Sequence, residues 1–113
     1  MQIVSKKISI EELNSMAAKG FGDMVKAVVD INRDLIAVDA ELHSDLEALM
    51  LKESSKQANL WGINLYPQAS KEDFIEFDSM INVRPSAGNR SRSVENEAVR
   101  KKILEVVAKW VNR

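Results

Sequence analysis

N-L-W-G-I-N-L-Y-P at Asn59–Pro67 and D-F-I-E-F-D-S-M-I-N-V-R-P at Asp73–Pro85 decide the fold. In the first segment Trp61, Ile63 and Leu65 alternate with Gly62, Asn64 and Tyr66. In the second, Ile75, Phe77, Ile81 and Val83 fall opposite to Glu76, Asp78, Asn82 and Arg84. A period of two predicts strands with one buried and one wet face. The connector between them holds turn formers and charge, so the pair reads as an antiparallel hairpin. A register that sets Tyr66 against Phe74 keeps the faces consistent. Leu65 then opposes Ile75, Ile63 opposes Phe77, Asn64 opposes Glu76 and Gly62 opposes Asp78. A slip of one residue would turn every apolar side chain to water.

Upstream, Ser9-Ile10-Glu11-Glu12 is a capping box, with Glu12 placed to reach back to the Ser9 amide. It predicts a helix over Ile10 to Lys19, stopped at Gly20 in a left-handed cap. Gly20-Phe21-Gly22 follows a helix and precedes a strand, the wrong order for a phosphate cradle. Val25 to Ile31 and Leu35 to Val38 are strand-like around the turn formers Asn32-Arg33-Asp34, which gives a first hairpin. Ile3 and Val4 suit an edge strand and a loose arm equally. Asp39 to Lys52 reads as a helix with Asp39 as its cap and Leu42, Leu46, Leu49 and Met50 on one face. On that helix Asp39, His43 and Glu47 are one turn apart, a spacing that suits a metal or a proton relay but is more often the ordinary polar flank of an amphipathic helix.

Downstream, Pro85 ends the second strand at Arg84 and Gly88-Asn89 permits a tight turn. The stretch R-P-S-A-G-N-R-S-R at 84–92 concentrates Arg84, Arg90 and Arg92 beside Ser86, Asn89 and free backbone amides. Forked guanidinium donors and a nest of amides are the chemistry of anion capture. Pairing of these arginines with the chain's own acids, Glu76 and Asp78 among them, is the alternative. A last helix spans Glu97 to Val111, capped by Asn96, with Val99, Ile103, Val106, Val107 and Trp110 facing the core.

The chain has 113 residues, a net charge of −1, no cysteine and one histidine. That length fits one domain, residues 1–113, with 1–8 as the arm or edge strand. The charge gives no global pull toward nucleic acid or membrane. The lack of cysteine suits a reducing cytoplasm and removes thiol catalysis. No apolar run nears the roughly 20 residues of a membrane span, and Met1–Lys7 lacks a signal-peptide core. A cytoplasmic protein is expected.

L-W-G-I-N-L-Y-P, F-I-E-F-D-S-M-I-N-V-R-P and G-N-R-S-R, with A-V-V-D-I and L-I-A-V-D-A-E-L-H-S-D-L-E upstream, resemble a small bacterial family catalogued only as a domain of unknown function. The likeness runs from about Ser9 to the end. It implies a single bacterial domain and carries no activity. Two places depart from the family pattern. Glu53-Ser54-Ser55 stands where an acidic residue and glycine are expected, and Asn96-Glu97 where Asp-Pro is expected.

The element order α-β-β-α-β-β-α predicts an α+β fold. Its four-stranded, mostly antiparallel sheet carries three helices on one side. The core is expected to hold Leu13, Val29, Ile36, Leu46, Leu49, Trp61, Ile63, Phe77, Ile81, Ile103, Val107 and Trp110. Three functions fit. The first is a binding module taking an anionic ligand, phosphate-bearing or a nucleic-acid backbone, at Arg84, Ser86, Asn89, Arg90 and Arg92. The second is a metal-assisted hydrolase using His43, Glu76 and Asp78. It needs the His43 helix near the polar sheet face, whereas an apolar helix is expected on the opposite face. The third is a homodimer joined through a sheet edge or an apolar patch. The sequence names no cofactor.

Overall fold

The computed structural model describes residues 1–113. It is an α+β fold of three helices, a five-stranded antiparallel sheet and a two-stranded parallel one. In chain order these are β1 (Gln2–Ile3), β2 (Ile8–Ser9), α1 (Ile10–Lys19), β3 (Val25–Asp30), β4 (Leu35–Val38), α2 (His43–Lys52), β5 (Leu60–Leu65), β6 (Ile75–Glu76), α3 (Glu97–Trp110) and β7 (Val111–Asn112). The main sheet runs β1-β4-β3-β5-β6. The four strands of the two hairpins are therefore present, and Gln2–Ile3 adds a fifth at the β4 edge.

β3 is the hub because it is paired on both edges and covered on both faces, with one face wholly apolar and the other apolar at Val28. Val25, Ala27 and Val29 meet Trp61, Ile63 and Leu65, and α1 and α3 cover that face through Leu13, Ala17, Ile103, Val106 and Val107. Val28 points the other way, to Ala37 and Leu60 beneath Leu46 and Met50 of α2. The helices thus lie on both sides of the sheet, which corrects the one-sided expectation. Adjacent Val28 and Val29 are the cause, since a strand with two apolar neighbours must be covered twice. All the expected core residues are buried or packed against these two clusters.

The turn after β3 is held from inside. The buried Asp30 carboxylate accepts from the Asn32 and Arg33 amides and, at 2.6 Å, from the Ser55 hydroxyl. Ser55 can reach because Ser54 takes a left-handed φ of 79°. That is the position where the family pattern leads one to expect glycine, and serine there holds a conformation glycine adopts freely.

Local punctuation agrees with the sequence in part. Ser9 caps α1 by accepting from the Glu12 amide, but its own hydroxyl meets Glu12 Oε1, so the reach back to the Ser9 amide is not made. Gly20 ends α1 with φ −108°, and the left-handed glycine is Gly22. α2 begins at His43, with Leu42 as N-cap and no capping side chain. Asp39 is not its cap. It sits at φ 75°, and its amide continues the β3–β4 pairing to the Lys26 carbonyl. Asn96 caps α3, which stops at Trp110 because Val111–Asn112 pairs in parallel with Ile8–Ser9.

The β5–β6 register is the one the apolar pattern selects: Leu65 opposite Ile75, Asn64 opposite Glu76, and the Tyr66 amide on the Phe74 carbonyl. The pairing then ends. Ile63 does not oppose Phe77 and Gly62 does not oppose Asp78. Met80–Asn82 is instead a 3-10 turn. Asn82 folds back so that its side chain takes the place of a strand on Gly62. Its Oδ1 accepts from the Gly62 amide at 2.8 Å, and its Nδ2 donates to the Gly62 carbonyl at 2.9 Å and to the Arg92 carbonyl at 2.9 Å.

Candidate functional site

The arginine stretch is a built structure. Asn89 is its internal staple. Its amide donates to the carbonyls of Asn82, Ser91 and Ser93 and accepts from the Glu95 amide. The amides of Arg90 and Ser91, free in the sequence reading, donate to Glu95 Oε2 at 2.9 and 2.7 Å. The Ser91 hydroxyl and these amides hold the Glu95 carboxyl below its usual range. The nest is thus occupied by the chain's own anion.

The arginines diverge. Arg84 turns inward. Its Nη2 donates to the Leu60 carbonyl, its guanidinium lies 4.8 Å from the Trp61 ring centre, and Glu47 sits 4.0 Å away. Arg92 grips Asp78 through Nε at 2.8 Å and Nη2 at 3.3 Å, leaving Nη1 as its spare donor. Arg90 and Ser86 are exposed. Arg84 and Arg92 face separate clefts on either side of Met80–Ile81.

The face expected to be wet is covered by α2 over Asn64 and stays exposed at Glu76. Lys26, Asn64 and Glu76 form a cross-strand row on β3, β5 and β6. Asn64 is 4% exposed. Its Nδ2 donates to Glu76 Oε1 at 2.8 Å, and the Tyr66 hydroxyl donates to the same oxygen at 3.0 Å. His43, the first residue of α2, is buried over this row. Its Nε2–H donates to the Ile63 carbonyl at 2.8 Å. The His43 helix therefore lies on the Asn64–Glu76 side, contrary to the expectation that it would cover the opposite face. Burial pushes the His43 pKa below its ordinary value; the Ile63 carbonyl, Asp78 and the Asn64 side chain work against that, and Lys26 adds to it. Asn64 Oδ1 is buried and makes no hydrogen bond.

The unfolded chain binds more protons than the folded one below the ordinary histidine pKa of about 6.5. The stability that rests on neutral His43 is complete above that pH and declines as pH falls through the lower folded value. His43→Gln keeps an N–H donor for Ile63 without titrating. Urea unfolding at pH 7 and pH 5 is expected to show a smaller loss on acidification in His43→Gln than in the natural chain. Equal losses would remove His43 as the titrating group.

Of the proposed hydrolytic set, His43 is held by Ile63, Glu76 by Asn64 and Tyr66, and Asp78 by Arg92. No three histidine, aspartate or glutamate side chains are grouped where they could share a metal. Asp39 is off the helix and near the N-terminal amine, so Asp39, His43 and Glu47 do not line up.

A cleft of about 150 Å³ opens beside the first turn of α2, lined by Lys26, His43, Ser44, Ser79 and Arg92. Leu42 and Met80, 57% and 66% exposed, flank it. Lys26 has no ion-pair partner within 4.0 Å and rests 5.2 Å from the Phe21 ring. Sequence reading missed Lys26 and Ser44. A signal was there for Lys26, the one charge within the apolar run V-K-A-V-V.

A family described as "Protein of unknown function (DUF5674)" matches residues 2–110. The chain belongs to the DUF5674 family. No curated protein and no solved structure matches it. In this DUF5674 chain no helix is long and apolar enough to cross a membrane. The outer strands of its main sheet, β1 and β6, are two residues each and present little edge for another chain.

Proposed function

We propose that the protein is a binding module for a small phosphate-bearing anion, seated in the Lys26–Arg92 cleft. One observation carries this reading: cations from β3 and from the arginine stretch flank the first turn of α2, which no side chain caps. Uncapped helix amides and guanidinium or ammonium donors together favour an anion. Space for about five waters, at roughly 30 Å³ each, suits one phosphoryl group with the rest of the ligand lying over Leu42 and Met80. A nucleic-acid backbone is less well served, because Arg84 turns inward and Arg92 is half neutralised by Asp78. Of the arginine-stretch candidates, Arg92 belongs to this site; Asn89 shapes the loop behind it. A bacterial cytoplasm would supply such ligands.

The hydrolase reading has less behind it, since His43, Glu76 and Asp78 are each committed to protein partners. Calorimetric titration of pyrophosphate tests the binding reading. Arg92→Gln and Lys26→Ala are each expected to weaken binding about tenfold, as loss of a charge-assisted hydrogen bond does. Asp78→Asn frees Arg92 and removes a repelling charge, so it is expected to tighten binding. Weaker binding in Asp78→Asn, or no change in the other two, would count against the site.

A further inference from the structure

A second cleft, about 530 Å³, lies across the Met80–Ile81 turn from the first. Its apolar walls come from Met80, Ile81, Val83 and Pro85, and its only charges are Glu47 and Arg84. This ion pair differs from the others. Both side chains are 14% exposed, against 40% or more in the remaining pairs. At 4.0 Å the two attract but are too far apart to hydrogen-bond. Glu47 Oε2 is buried with no hydrogen-bond partner. Arg84 spends only Nη2, on Leu60, and its plane is fixed against Trp61. One cleft thus holds unused carboxylate acceptors and unused Nε and Nη1 donors. Leaving enclosed charged groups without hydrogen bonds is costly. Burial also presses on the charged form of Arg84, with Glu47 opposing it. A perturbed ion pair in an apolar cleft of this size is the pattern of a small-molecule site.

We infer that this cleft binds an uncharged amide-bearing ligand with an apolar side chain, a peptide-like group whose N–H meets Glu47 and whose carbonyl meets Arg84. The pair sums to zero charge, so a charged ligand would leave one charge unbalanced and would itself be desolvated. An amide supplies one donor and one acceptor at a lower desolvation cost. The terminal torsion of glutamate is broad, so the carboxylate can turn an oxygen outward. The neutral groups of Gln57 and Ser86 at the cleft suit the same chemistry. This site does not depend on the anion cleft.

The test is an amide chemical-shift titration of the whole chain with N-acetyl-leucinamide, 3-methylbutylamine and 3-methylbutanoate. The expected result is saturable shifts at Ala58, Val83 and Ala87 and at the Trp61 indole with the amide, at least about tenfold tighter than with either charged probe. Glu47→Leu is expected to abolish them and Glu47→Gln to retain part. Equal or tighter binding of the amine or the carboxylate, shifts elsewhere, or no saturation overturns the inference. If Glu47→Leu fails to fold, the ranking of the three probes on the natural chain decides.

Discussion

Asn82→Ala is expected to lower the unfolding free energy by about 3–4 kcal/mol, because several buried groups lose their partners at once. Asn82 is fully buried, and one planar amide satisfies both polar groups of Gly62 and donates to the Arg92 carbonyl, which also accepts from the Ser79 amide. No side chain of alanine can replace it, and water would have to enter a site closed by Ser79 and α2. Asn82→Asp keeps the shape but loses both N–H donors and brings a charge into the same place, so it is expected to be no milder. Total stability for a domain of this kind is about 5–15 kcal/mol, so either change should be plain in urea unfolding as a lower midpoint at nearly constant slope. A loss under about 1 kcal/mol would mean that the loop rests on something other than this side chain. Because Asn82 ties Arg92 to β5, loss of Asn82 is also expected to weaken pyrophosphate binding.

Gly62→Ala is expected to cost about 3 kcal/mol through overpacking. A Cβ on Gly62 would lie 2.5 Å from Ser79 Cβ, 2.6 Å from Ser79 Oγ and 3.1 Å from Ile81 Cγ1. The Ser79 atoms cannot swing away freely. Ser79 is buried, and its Oγ accepts from the Ile81 amide in the 3-10 turn. The need at Gly62 is for space alone, since its φ is not left-handed. Ser79→Gly removes the atoms in collision. The double variant is therefore expected to recover a large part of the loss relative to the sum of the single changes, a coupling that a double-mutant cycle reads directly. Strict additivity would show that the overlap is relieved elsewhere.

Asn82 and Gly62 also mark where the sequence was legible. The alternation in Leu60–Leu65 fixed that strand, and the demand that Leu65 and Ile75 share a face fixed its register. The same alternation continued through Val83 and suggested a longer strand. There a 3-10 turn brings Ile81 against the α2 cluster and sends Asn82 to the β5 backbone, a long-range hydrogen bond that periodicity does not encode. The placement of α2 was hidden for a similar reason. Leu46 and Met50 say that one face is buried, not which side of the sheet receives it. Val28 beside Val29 was the usable clue.

For the candidate site, the residue types were legible and their grouping was not. Arg84 and Arg92 are close in the chain, but the turn at Met80–Ile81 puts them in different clefts. Arg92 instead joins Lys26 and Ser44, whose segments only the β3–β5 pairing and the seat of α2 bring together. The amides beside the arginines, expected to be free for an external anion, donate to Glu95 of the same chain.

The most direct measurement is an amide chemical-shift titration of the natural chain with pyrophosphate at low and high salt. Saturable shifts at Lys26, His43–Asp45, Ser79 and Arg92, weakened by salt as exposed charges are screened, are the result expected of an anion site at the head of α2. Shifts confined to the exposed lysines of α3, or none at all, would contradict it. A concentration-dependent dimer that buries Leu42 and Met80 would then make the homodimer the better reading.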